Sequence, residues 1–183
     1  MTLLDLLRSV RHSQTLCTRI FFGLLVALSI DYKLTGTGWA TCTVRPARRN
    51  YSFTASYDSN ALESLVTAAV AALSDINTIS IHFYGRNKDW FWDIQKNHGE
   101  KLNIEISDVV PTFTEILGCE TKLVVAFDCT AIQFATAVLV ATEAVLKEHG
   151  LKGYKTLWAE HDFPIDLLKL LRKRLALPRL PTA

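Results

Sequence analysis

Residues 89–107 read DWFWDIQKNHGEKLNIEIS, and the fold turns on how their side chains alternate. In an extended chain successive side chains point to opposite faces. Trp90, Trp92 and Ile94 therefore fall on one side, and Phe91, Asp93 and Gln95 on the other. NHGE supplies a turn, after which Leu102, Ile104 and Ile106 alternate with Asn103, Glu105 and Ser107. This is a hairpin with one apolar and one mostly polar face. The two tryptophans share the kind of face that carries the leucine and isoleucines, so they belong to a core. Phe91 is the apolar residue left among the charges.

The same alternation extends outward. TISIHFYG precedes the hairpin as a strand, and KLVVAFD follows it after a less regular connection, PTFTEILGCET. Upstream, WATCTV sets Ala40, Cys42 and Val44 against Trp39, Thr41 and Thr43, and YSFTASY places Tyr51, Phe53, Ala55 and Tyr57 on one face. TGTG and RPARRN are the turns around them. A first strand is expected over 20–33. Short connections make these strands an antiparallel meander.

Helical spacing interrupts the strands twice. Leu62, Leu65, Val66, Ala69, Val70 and Leu73 form an amphipathic stripe, predicting a helix over 60–74 with Asn60 and Glu63 as a capping box. Asp128 or Thr130 caps a second helix over 130–149, apolar nearly all round and closed by Gly150. An aromatic-rich loop, GYKTLWAEHDFP, leads to Pro164 and a last helix over 164–176, with Asp162 as its cap. Leu3, Leu4, Leu7 and Val10 predict a leading helix over 1–16. The expected fold is one α+β domain over 1–183. It has a curved, mainly antiparallel sheet of about six to seven strands, occupying 20–128, two main helices packed on it, and shorter terminal helices.

Composition agrees with a packed domain: of 183 residues, 49% are hydrophobic and 21% charged. The net charge of +2 is unevenly placed. Residues 1–50 carry seven Lys or Arg against two acids, 51–150 carry six against thirteen, and 151–183 carry seven against three. An acidic middle between basic ends reads first as ordinary solvated surface; the alternatives are a basic partner surface or basic ends held near the middle. The uncharged run Ile20–Ile30 behind Arg8, Arg11 and Arg19 has the look of a signal peptide's start. It is too short to span a bilayer and is read as a buried strand.

Chemistry-bearing patterns are sparse. The chain holds no GxGxxG, GxxxxGK[ST], HExxH or GxSxG motif. Cys17, Cys42, Cys119 and Cys129 form no CxxC pair and lie beside no histidine at ligand spacing, so reduced, mostly buried thiols in a cytoplasmic protein are expected. Neither a catalytic set, a metal nor a cofactor is expected. His82, beside Ser80 and Tyr84 on one strand face, and His161, within Glu160–His161–Asp162, are the two histidines that would line a pocket between sheet and helices. Arg45, Arg48, Arg49, Arg172, Lys173, Arg174 and Arg179 lack the interleaved aromatics of single-strand binders, so nucleic acid is not the expected partner.

From residue 130 onward, FATAVLVATEAVLKEHGLKGYKTLWAEHDFP resembles the close of a family of small, uncharacterised bacterial α+β proteins. The pattern is FAxxV, a helix ending in HG, then GY, a tryptophan and HxFP. It falls here on Phe134, Ala135, Val138, His149, Gly150, Gly153, Tyr154, Trp158, His161, Phe163 and Pro164. SNALESLVTAAVAAL and the WFWDIQKNHGEKLNIEI hairpin are similar to the same family, so the resemblance covers about 37–170. In size and style the family resembles immunity proteins, the cognate inhibitors that protect a bacterium from its own polymorphic toxins.

That resemblance implies a cytoplasmic protein-binding module, an immunity protein or antitoxin, rather than an enzyme. Asp89, Asp93, Glu100 and Glu105 on or beside the hairpin would complement a basic toxin face, with Phe91 as aromatic anchor. The alternative is a small-molecule binder or enzyme using His82 or His161. A third, a subunit of a larger or homo-oligomeric assembly, predicts an exposed apolar patch around residues 20–30.

Overall fold

The computed structural model describes residues 28–97, 99–110 and 120–176. The leading helix expected over 1–16, and the part of the first strand expected before Leu28, lie outside the described residues. Strands β1 (Ser29–Gly36), β2 (Trp39–Arg45) and β3 (Tyr51–Ser56) form one antiparallel meander. Strands β4 (Thr78–Phe83), β5 (Asp89–Lys96), β6 (Lys101–Val110) and β7 (Glu120–Thr130) form a second. Helix α1 (Ala61–Ala72) connects the two sheets, α2 (Ala131–Trp158) follows β7, and α3 (Ile165–Ala176) comes last. The fold is α+β, as the alternation requires, with its seven described strands divided between two sheets.

The division is shallow. At the ends of β3 and β4, Ser56 N–H donates to the Tyr84 carbonyl at 2.6 Å, and Tyr84 N–H donates to Ser59 Oγ at 3.2 Å. The two sheets therefore touch at one corner and bury their inner faces in one core. Phe53 of β3 meets Trp90 and Trp92 of β5 edge-on, with ring centroids 5.0 and 5.6 Å apart. Edge-to-face pairs of this kind add about 0.5–1.5 kcal/mol beyond area burial. The β5–β6 register pairs Trp92 with Ile106 and Ile94 with Ile104, so the apolar residues of both strands share one face. Trp92, Ile94, Leu102, Ile104 and Ile106 are all buried, as is Trp90.

Helix starts follow local chemistry. Thr130, rather than Asp128, caps α2: Gln133 N–H donates to Thr130 Oγ1 at 3.1 Å, and Thr130 N–H donates to Gln133 Oε1 at 2.8 Å. Asp128 instead accepts from Asn103 Nδ2 at 3.0 Å. At α1 the expected capping box does not form. The Asn60 side chain donates to the Glu63 carboxylate and makes no cap bond to the backbone. Asp162 does not cap α3; it is exposed and pairs with Lys155 at 3.3 Å. Leu168 N–H bonds to the Pro164 carbonyl at 3.0 Å, at the turn that opens α3.

The largest departure from the sequence reading lies after Gly150. That residue has φ 63° and ψ −180°, a glycine-favouring conformation, but it kinks the helix rather than ending it. Helical structure resumes and carries on to Trp158, where a loop was expected. Tyr154 and Trp158, four residues apart, share a helical face and are both fully buried. Burying two large rings outweighs one interruption of the backbone ladder. Trp158 packs edge-on against Tyr32 of β1, and Tyr154 against Phe163, with centroids 6.4 and 5.3 Å apart. These rings bind the far end of α2 to the first sheet and to the lead-in of α3. Leu168 and Leu171 of α3 are buried, and α3 packs on α1 and α2.

Candidate functional site

The outer face of the second sheet carries most of the expected partner-binding residues. Burial alternates strictly along β5: Trp90, Trp92 and Ile94 are buried, while Phe91, Asp93 and Gln95 are exposed. Phe91 keeps 41% of its surface in contact with solvent, which is high for a phenylalanine in a strand interior. The register sets Phe91 between His82 on β4 and Ser107 on β6. The imidazole of His82 stacks on the Phe91 ring at 4.2 Å with planes 19° apart, and the Tyr84 ring lies 4.2 Å from the same imidazole, tilted by 53°. Asp89 completes the cluster. Its Oδ2 lies 3.1 Å from His82 Nε2, and its Oδ1 accepts from Gly85 N–H at 3.2 Å.

One step along the ladder, Asp93 sits between Ser80 and Glu105. Two carboxylates directly opposite across antiparallel strands repel each other and cost stability. Asp93 takes a weak bond from Gln95 Nε2 at 3.3 Å, and neither acid belongs to an ion pair among the described residues. Glu105 is flanked on its other side by Ala126 of β7, which offers no countercharge.

Asp89, Phe91, Asp93 and Glu105 thus share one face. Glu100 does not join them. It lies in the β5–β6 turn, half-buried, and its carbonyl accepts from Ala131 N–H at the start of α2. Two further members of the face were not expected there: Tyr84, 42% exposed, which the sequence placed only beside His82, and Leu123, 53% exposed. Leu123 reaches this side because β7 carries a bulge between the partners of Ile106 and Ser107, which shifts its alternation. Alternation from Phe91 through the β4–β5 register was the signal that would have found Tyr84.

The pocket histidines are not brought together. His82 is held on the outer face. His161 donates from Nε2 to the Tyr57 carbonyl at 2.9 Å, tying the lead-in of α3 to the end of β3. Neither histidine lines either of two cavities formed elsewhere among the described residues. One is a recess of 210 Å³ between α1 and β4, where Asn60, Glu63, Ser64, Thr67 and Ser80 meet the apolar Ala68 and Ile79. The other is an apolar groove of 350 Å³ between the start of β1 and the first half of α2.

The thiols are poor nucleophiles. Burial, reinforced by Asp31, pushes the Cys42 thiol well up, and burial with Asp128 pushes Cys129 up to about 12. A thiol so shifted holds almost no thiolate near neutrality. Cys17 and Cys119 lie outside the described residues. Among the described residues, no group of three or more His, Cys, Asp or Glu could hold a metal ion. No described helix is long and apolar enough to cross a membrane.

Comparison with protein-family models, curated proteins and solved structures finds no match to this chain.

Proposed function

We propose that the chain is a protein-binding module whose outer β4–β7 face docks a partner with a cationic surface. Within the family it resembles, its role is that of a bacterial immunity protein blocking a cognate toxin. One observation carries the docking reading: Asp93 and Glu105 face each other without a countercharge among the described residues, beside a solvent-exposed Phe91. An arrangement that costs the free protein stability is explained if a partner's Lys or Arg enters between the acids on binding. Phe91, backed by His82 and Tyr84, then supplies the rigid apolar anchor that interfaces favour.

The mechanism is steric and electrostatic. The face covers the toxin's cationic working surface and excludes its substrate, so the chain needs no catalytic group of its own. The test is affinity capture from the native host with the wild-type chain and with Asp93→Lys/Glu105→Lys. The wild type is expected to retain one stoichiometric partner with a toxic domain, and the variant to lose it. Equal retention by both would sink the assignment of this face.

A second reading has one observation in its favour. The recess between α1 and β4 has a mixed polar and apolar lining that includes Asn60, whose side-chain Oδ1 is buried with no hydrogen-bond partner among the described residues. A small polar ligand that donates a hydrogen bond would fit there. Thermal-shift screening of the wild type against Asn60→Ala and Ser64→Ala distinguishes it from the docking reading.

A further inference from the structure

Four side chains of the recess between α1 and β4 form one stripe. Asn60, Glu63, Ser64 and Thr67 are spaced three or four residues apart, so they share a flank of α1, and Ser80 of β4 completes the polar lining. Every one of the five can accept a hydrogen bond, and no cationic side chain is among the described lining residues. Glu63 joins no ion pair among the described residues. Thr67 and Ser80 are exposed, which puts the mouth of the recess in solvent, while Ala68 is buried and Ile79 half-buried.

We propose, on the reading of this recess as a ligand site, that its ligand carries a primary alkylammonium group. Charge selects a cation, because the one ionised side chain of the lining is a carboxylate without a countercharge among the described residues. The positive end of the α1 dipole opposes a cation here, but it amounts to about half a charge against the full charge on Glu63. The Asn60 side-chain amide donates to Glu63 Oε2, which fixes the carboxylate and leaves Oε1 to a ligand. A guanidinium fork takes both carboxylate oxygens at once, whereas an ammonium is a point charge that needs only one. Hydroxyls of Ser64, Thr67 and Ser80 are at hand for its other N–H groups.

The apolar part of the lining has its own use. Ala68 and Ile79 offer a surface for a methylene stem. A volume of 210 Å³ lies below the range of drug-sized pockets, about 300–1,000 Å³, and restricts that stem to a few carbons. Asn60 is a positioning residue in this arrangement. With its N–H turned to Glu63, it leaves Oδ1 buried without a partner among the described residues, a cost explained if the aligned carboxylate serves a ligand.

Such an ammonium comes either from a free small amine or from a lysine side chain of a partner. Ser80 is also the cross-strand neighbour of Asp93, so the recess adjoins the acidic outer face and the two must be told apart. The experiment is titration of the full chain, followed by amide proton–nitrogen correlation spectra. The probes are n-butylammonium, 1-butanol and Nα-acetyl-lysine methylamide. n-Butylammonium is expected to shift the amides of 60–68 and 79–80 and to saturate at about tenfold lower concentration than 1-butanol. Glu63→Gln keeps an oxygen for Asn60 and removes the charge, and is expected to weaken n-butylammonium about tenfold. Thr67→Lys, at the exposed mouth one turn after Glu63, supplies a tethered ammonium and is expected to abolish binding of the probe in a folded chain.

Equal saturation by n-butylammonium and 1-butanol, or undiminished binding by Glu63→Gln, overturns the ammonium assignment and leaves the recess a site for neutral ligands. Shifts with none of the probes overturn both the assignment and the recess reading. Shifts confined to the amides around Asp93 and Glu105 overturn the assignment and give the cation to the outer face. Tighter binding of the blocked lysine than of n-butylammonium supports the assignment with a partner's lysine as the source. The reverse order supports it with a free amine.

Discussion

Asp93 and Glu105 are direct cross-strand partners on β5 and β6, two carboxylates on one exposed face with no cation of the described protein between them. Opposite charges at such positions stabilise a sheet, and like charges destabilise it. Glu105→Thr keeps a strand-forming residue and removes the repulsion. It is expected to raise unfolding stability by about 0.2–1 kcal/mol in urea titration while weakening capture of the partner. A fall in stability would mean that Glu105 has a structural role this geometry does not reveal.

Phe91 and Trp92 are adjacent in sequence and opposite in consequence. Trp92→Ala empties a fully buried site between Phe53 and Phe83 and is expected to cost about 3–5 kcal/mol. Phe91→Ala removes one exposed ring from the His82 stack and is expected to cost about 1 kcal/mol or less. Its larger effect is on partner affinity, expected to drop at least about tenfold, as for an interface anchor. Denaturation and binding measured on the same two variants separate the faces.

Two glycines in α2 predict opposite signs. Gly150 has φ 63° with ψ near 180°, and Gly150→Ala forces a side chain into a conformation that costs about 1–3 kcal/mol, although nothing lies within 4 Å of the added methyl. At Gly153 no positive φ is required, and an added Cβ meets only His149 Cβ at 3.4 Å. Gly153→Ala is therefore expected to stabilise by about 0.5–1 kcal/mol through helix propensity. Thermal melts of the two variants check both.

The buried thiols set an alkaline limit. Cys129 rises from 9.0 to about 12 on folding, and Cys42 rises further, because burial disfavours the thiolate. Above pH 9 the unfolded chain releases these protons while the folded chain retains them, so stability falls as pH rises through that window. The slope is up to about 1.4 kcal/mol per pH unit for each thiol. Urea midpoints at pH 7, 9 and 10.5 should decline in the wild type and decline less steeply in Cys129→Ala, where Cys42 still contributes.

Much of this protein was legible from period alone. The two-residue alternation of 89–107 fixed which side of β5 and β6 is core, because a half-buried sheet leaves no other arrangement for Trp90, Trp92 and Ile94. The helical spacing of Leu62, Leu65, Val66 and Ala69 placed α1 in the same way. The acids of the outer face could be named for the same reason: on a strand, identity and parity give the side.

Distance in sequence hid the rest. Gly150 reads as a helix end by local chemistry, yet Tyr154 and Trp158 draw the chain back into a helix because Tyr32, more than a hundred residues earlier, supplies part of the surface that buries them. The β7 bulge turns Leu123 outward through its pairing with β6, and a single strand's sequence cannot show that. The sequence by itself determined the class of fold and the polarity of each face, since those depend on period and hydrophobicity within one element. Only the tertiary structure decided that the sheet divides in two, that His82 stacks on Phe91 while His161 ties down a loop, and that α2 leaves an apolar groove beside β1. Each of these rests on contacts between residues that are neighbours in space alone.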